Sequence, residues 1–198
     1  MDDIPKELLS AIAIVLTLVA FFPYISEILR GTVQPHVFSW VIWGTTTFVV
    51  FLAQIESNGG VGAWPIGVSG SITIFVACLA YVKRADITIT KTDWLFLVLA
   101  MSSLPLWYLT SDPLWAVVLL TTVDVLGFGP TVRKAYISPH SESLRFYALL
   151  MVRDIIVIMA LESRTVTTVL FSAVMAATCA LFIAVITYRR QGLSSVQV

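Results

Sequence analysis

The stretch FPYISEILRGTVQPHVFSWVIW, Phe22–Trp43, decides the reading. It closes one apolar helix around a proline, turns through a short polar link, and opens a second apolar helix. A weaker copy, GPTVRKAYISPHSESLRFY, occupies Gly129–Tyr147. Pro23 matches Pro130, Pro35-His36 matches Pro139-His140, Ser39 matches Ser143, and Trp43 matches Tyr147. A duplicated helix–proline–turn–helix in an apolar chain predicts two structural halves. In membrane carriers such repeats enclose the solute site.

Composition points to the bilayer. Of the 198 residues 58% are hydrophobic and only 12% charged, more apolar side chain than a soluble domain of this length can hide. The net charge is zero, which argues against nucleic acid as a partner. The first apolar run is followed by several others and lacks a small-residue cleavage site, so it reads as a retained helix. Cys78 and Cys179 fall inside apolar runs, away from any disulfide framework. His36 and His140 stand in links without neighbouring ligands, so no metal or other cofactor is expected.

Seven apolar spans have lengths of roughly 17–25 residues, enough to cross a bilayer as helix. They lie near Leu8–Leu29, Val37–Ile55, Trp64–Val82, Trp94–Leu109, Leu114–Tyr136, Leu144–Leu161 and Thr167–Tyr188. Pro105 interrupts the fourth. The N-terminus and even-numbered links hold only Lys6 and Arg164 among basic residues. The other side collects Arg30, Lys83, Arg84, Lys91, Arg133, Lys134, Arg145, Arg189 and Arg190. That asymmetry predicts the N-terminus outside and the C-terminus cytoplasmic, and the lack of a targeting extension suits an integral plasma (bacterial inner) membrane protein. Spans three and seven end alike, in Tyr81-Val82-Lys83-Arg84 and Tyr188-Arg189-Arg190. The expected organisation is all-α: two parallel three-helix bundles over residues 1–90 and 113–198, joined by a connector helix over 91–112.

This architecture, with a proline in the first helix of each triplet and a polar turn ending in serine, resembles the PQ-loop superfamily. Its members include the SWEET and SemiSWEET sugar carriers, the cystinosin-like amino-acid exporters and the KDEL receptor; PnuC vitamin carriers share the three-one-three build. The signature dipeptide is replaced here by Pro23-Tyr24 and Pro130-Thr131. The resemblance implies alternating access with Pro23 and Pro130 as hinges; the alternative is a kink that only shapes packing. It also implies a tryptophan and an asparagine from each triplet around a sugar. Trp43 or Trp40 fits the first part, with Tyr147 and Leu144 at those places in the second triplet. The sole asparagine, Asn58, lies in a link.

Ionisable residues at membrane depth are the strongest local signal. Asp124, Arg153 and Asp154 each fall near the middle of a span. Thr17 takes the place of Asp124 in the other copy. Asp154 and Tyr147 share a helix face, while Arg153 points about 100° away from Asp154. Three readings stay open: a solute site with Arg153 on a carboxylate and an aspartate on an amine, proton coupling through a buried aspartate, or a structural Asp124–Arg153 pair. Trp40, Trp43 and Thr47, with Gly44 between them, line one face of the second helix. Thr45 and Thr46 read as residues that satisfy backbone carbonyls. Trp64, Trp107 and Trp115 read as interface-belt residues.

The expected function is alternating-access transport of a small polar solute, facilitated or proton-linked. The other class is a ligand-binding membrane receptor that does not transport, and a PnuC-like vitamin carrier is a further option. No nucleophile–base set argues for an enzyme. The lysines all lie at helix ends or in links, which argues against a retinal receptor, and Gly127-Phe128-Gly129-Pro130 lacks the acid of an intramembrane aspartyl protease. Expected partners are the lipid bilayer, the solute and, as an option, further copies of the chain.

Overall fold

The computed structural model describes residues 4–31, 37–83, 91–128, 132, 135–136, 139 and 143–194. Among these residues the regular structure is helical throughout, with seven long α-helices: α1 Lys6–Arg30, α2 Val37–Glu56, α3 Trp64–Val82, α4 Lys91–Thr110, α5 Pro113–Gly127, α6 Leu144–Ala160 and α7 Val166–Ser194. A 3-10 turn, Gly60–Ala63, leads into α3.

Local chemistry explains the ends. Gly31 closes α1 at φ 75°, a left-handed conformation that costs glycine little. The Asp112 carboxylate accepts from Leu114 N at 2.9 Å, and Pro113 opens α5 where no amide is needed. Ser143 caps α6 by accepting from Phe146 N at 3.3 Å. Pro23 and Pro105 lie inside α1 and α4 without ending either helix.

The expected spans match these helices closely at α1–α4 and α6. α7 continues beyond Tyr188 to Ser194, and the continuous part of α5 ends at Gly127, well short of the expected Tyr136. Four helices are long and apolar enough to cross a membrane: Lys6–Arg30, Val37–Glu56, Gly60–Val82 and Val166–Gln191. The apolar parts of α4 and α5, Trp94–Thr110 and Pro113–Gly127, are shorter. α6 is 17 residues long and carries Arg145, Arg153 and Asp154, which lower its hydropathy.

The packing has an internal pattern. α3 packs against both α1 and α2, and α7 against both α5 and α6. Between these groups, α1 meets α6 and α2 meets α5, while α4 lies on α5 and α2. The α2–α3 seam is the tightest. A Cβ on Gly44 would stand 3.0 Å from Ile74 N and 3.2 Å from Ile74 Cα, so only glycine lets the backbones come this close. Gly44 therefore serves helix packing. Trp64 and Trp115 are exposed as belt residues would be, but Trp107 packs against the core around Val117 and Leu120.

One end of the bundle is latched. The α6–α7 link lies on the α2–α3 link: Glu162 N donates to Gly59 O (3.1 Å) and Ser163 N to Asn58 O (3.2 Å). The Glu162 carboxylate accepts from Val61 N at 3.1 Å. Lys6 Nζ donates to Glu162 O (3.3 Å), and Ser10 Oγ to Val61 O (2.7 Å). Beneath the latch, buried Gln54 donates from Nε2 to Thr168 O at 2.7 Å. A Cβ on Gly62 would collide with the backbone of Ala160 and Leu161.

Candidate functional site

Deeper than the latch lies a set of buried polar side chains, roughly six to eleven residues in from that end, about 9–17 Å along a helix. Thr17 of α1, Thr46 and Thr47 of α2, Thr73 of α3, Thr121 and Asp124 of α5, Arg153 and Asp154 of α6 and Ser172 of α7 are all buried.

Asp124 and the Arg153–Asp154 neighbours form two separate contacts. The Thr46 hydroxyl donates to Asp124 Oδ1 at 2.8 Å, with the Trp43 carbonyl 2.9 Å away as a second acceptor. This contact joins α2 to α5. It corrects the expectation that Thr46 only satisfies its own helix. Asp124 is 4% exposed, and no cationic side chain pairs with it among the described residues.

Arg153 Nη1 lies 3.3 Å from Asp154 Oδ1, and the two side chains are almost fully buried. The structural alternative of an Asp124–Arg153 pair is therefore overturned. Adjacent helical positions diverge by about 100° at the backbone, but arginine is long enough to curl back. The resulting geometry is poor: Arg153 Nε and Nη1 and both Asp154 oxygens make no hydrogen bond among the described residues. In the register that matches Trp43 to Tyr147, Val49 and Val50 stand where Arg153 and Asp154 do. Both valines belong to the apolar core.

Aromatic rings cover the side of this layer away from the latch. Tyr24 stacks on Trp40 at 5.0 Å, and Trp40 meets Trp43 edge-on at 5.8 Å. A second group joins Tyr147 to Phe182 (4.5 Å), Phe146 (5.3 Å) and Phe128 (6.2 Å). Phe21 connects the two groups, 6.3 Å from Trp40 and 6.0 Å from Phe146. Trp40 and Trp43 are half-buried, whereas Tyr147 is buried within its aromatic cluster. The Trp43 indole lies against Gly127, where a Cβ would come within 2.9 Å of Nε1.

The expected Trp43 and Asp124 thus come together where α2 meets α5, while Trp40, beside Trp43, packs on Phe21 and Tyr24 of α1, and Thr47 is buried on α2. Tyr147, Arg153 and Asp154 lie in the α6–α7 part of the molecule. In the sequence reading Thr46 and Gly127 have no part in the site and Phe21 does not figure; the signal for the first two is their periodic placement one turn from Trp43 and Asp124. Pro23 borders a groove of about 760 Å³ between α1 and α3, lined by Leu18, Phe22, Ser71 and Phe75 among others. This groove is apolar and open, and Asp124 is not part of its lining. Pro130, Pro35, His36 and His140 lie outside the described residues.

No family model, curated protein or solved structure matches this chain.

Proposed function

We propose that this chain is a membrane carrier that moves a small polar solute by alternating access. In this reading α1–α3 and α5–α7 are parallel three-helix units of the PQ-loop/SWEET type, and α4 connects them. The paired contacts, α1 with α6 and α2 with α5, support it: exchanging the two triplets, α1 for α5 and α2 for α6, maps one contact onto the other. The latched end is the outer end, so this conformation is closed to the outside. Pro23 and Pro130 are the hinges.

The observation that carries the proposal is Asp124 on Thr46. An ionisable group this deep between apolar helices is costly, and it bridges two helices that belong to different units. Arg153 and Asp154 neutralise one another inside the second unit and serve its packing.

Uptake into proteoliposomes tests this. The panel holds sugars, amino acids, carboxylates and nucleosides, with Asp124→Asn measured beside the wild-type chain. The expected result is saturable uptake of one class and at least a tenfold loss in Asp124→Asn, with the folded fraction in detergent unchanged. Specific binding without uptake would favour a receptor; full uptake by Asp124→Asn would remove the carboxylate from the mechanism.

A further inference from the structure

We propose that the solute carries a positive charge, held between the Asp124 carboxylate and the Trp43 indole; this rests on the carrier reading. Asp124 and Gly127 are three residues apart on α5, hence on one face and about 5 Å apart along the axis. The Trp43 indole lies against Gly127, and the hydroxyl one turn along α2 from Trp43, that of Thr46, holds Asp124. Carboxylate and indole therefore meet at one place on the α2–α5 seam. A cation within about 6 Å of an indole ring gains a further attraction to its π face.

The charge balance of the core gives the same sign. Arg153 and Asp154 cancel. Asp124 then stands as the acid without a cationic partner among the described residues, and Thr46 supplies only one hydrogen bond. A buried carboxylate with one hydroxyl donor is poorly compensated, so a cationic guest gains most by entering. The half-buried rings of Trp40 and Tyr24 extend the wall from Trp43 toward the unlatched end. Rings and a single acid suit an organic ammonium or a charged heterocycle. They suit a sugar less, because its many hydroxyls need more polar partners than Thr46 and Asp124 provide at this seam.

The test uses the full chain in lipid nanodiscs, titrated with tetramethylammonium, benzyltrimethylammonium, benzyl alcohol and phenylacetate. Tryptophan emission and calorimetry report binding. The cations are expected to bind saturably, benzyltrimethylammonium most tightly, and Asp124→Asn to weaken binding at least tenfold. Trp43→Leu should weaken it several-fold while the melting temperature confirms folding. Failure of both cations to bind, or equal binding by Asp124→Asn, overturns the inference. Uptake measured in parallel separates the two claims. Asp124-dependent cation binding without uptake of the cation keeps this site and removes the carrier. Uptake of a neutral or anionic solute that cations do not inhibit keeps the carrier and removes this site.

Discussion

Arg153→Met is expected to destabilise the protein by about 3–5 kcal/mol, whereas Arg153→Met with Asp154→Leu costs little or gains stability. The single change leaves the Asp154 carboxylate buried without its counter-charge, 3.3 Å from where Nη1 stood. Removing both partners removes two desolvation penalties together. The existing pair is weak to begin with, because four of its polar atoms lack hydrogen bonds. The repeat also shows that this position accepts apolar residues: Val49 and Val50 fill it in the first copy and are buried in its core. Equilibrium unfolding in mixed detergent micelles checks the difference. A double variant as unstable as the single one, or one that folds but loses transport, would show that the pair does more than pack.

The second large effect is at the latch. Gly62→Val places a branched side chain against the backbone of Leu161 and Ala160, and backbone cannot rotate away. Overpacking of this kind costs about 1–3 kcal/mol, and more where nothing can yield. The two links should separate instead, losing the Glu162–Gly59 and Ser163–Asn58 hydrogen bonds. A cysteine placed at Ser10 should then react with a membrane-impermeant maleimide added outside, several-fold faster than in the parent. Unchanged reactivity with unchanged stability would mean that the links do not close this end.

Much of the helical layout was legible because apolar run length is a local property. The edges of α2 and α3 follow directly from Val37, the glycine cluster and Trp64. α5 was harder to delimit: apolar residues continue past Gly127, so hydropathy alone carried the expected span on to Tyr136. The depth of Asp124, Arg153 and Asp154 was equally readable, since counting residues along a helix measures depth. Their partners were not. Thr46 stands 78 positions from Asp124, and only the packing of α2 on α5 brings them together. By helical angle Arg153 and Asp154 need not pair, but the length of arginine brings them together. The latch was invisible for a related reason. In the sequence Gly59, Gly60 and Gly62 mark only a link between two apolar runs, and their closeness to Glu162 depends on two links a hundred residues apart.

In the proposed transport cycle the latched end must open each time a solute passes. A reversible covalent bridge tests this most directly. Cys78 and Cys179 are first replaced by alanine, and cysteines are placed at Asn58 and Ser163, whose backbones share a 3.2 Å hydrogen bond. The pair is then joined in proteoliposomes with a short bifunctional thiosulfonate. Uptake is expected to stop on cross-linking and to return on reduction, while each single-cysteine chain is unaffected. Uptake that continues at the same rate through the bridged latch would contradict the proposed cycle.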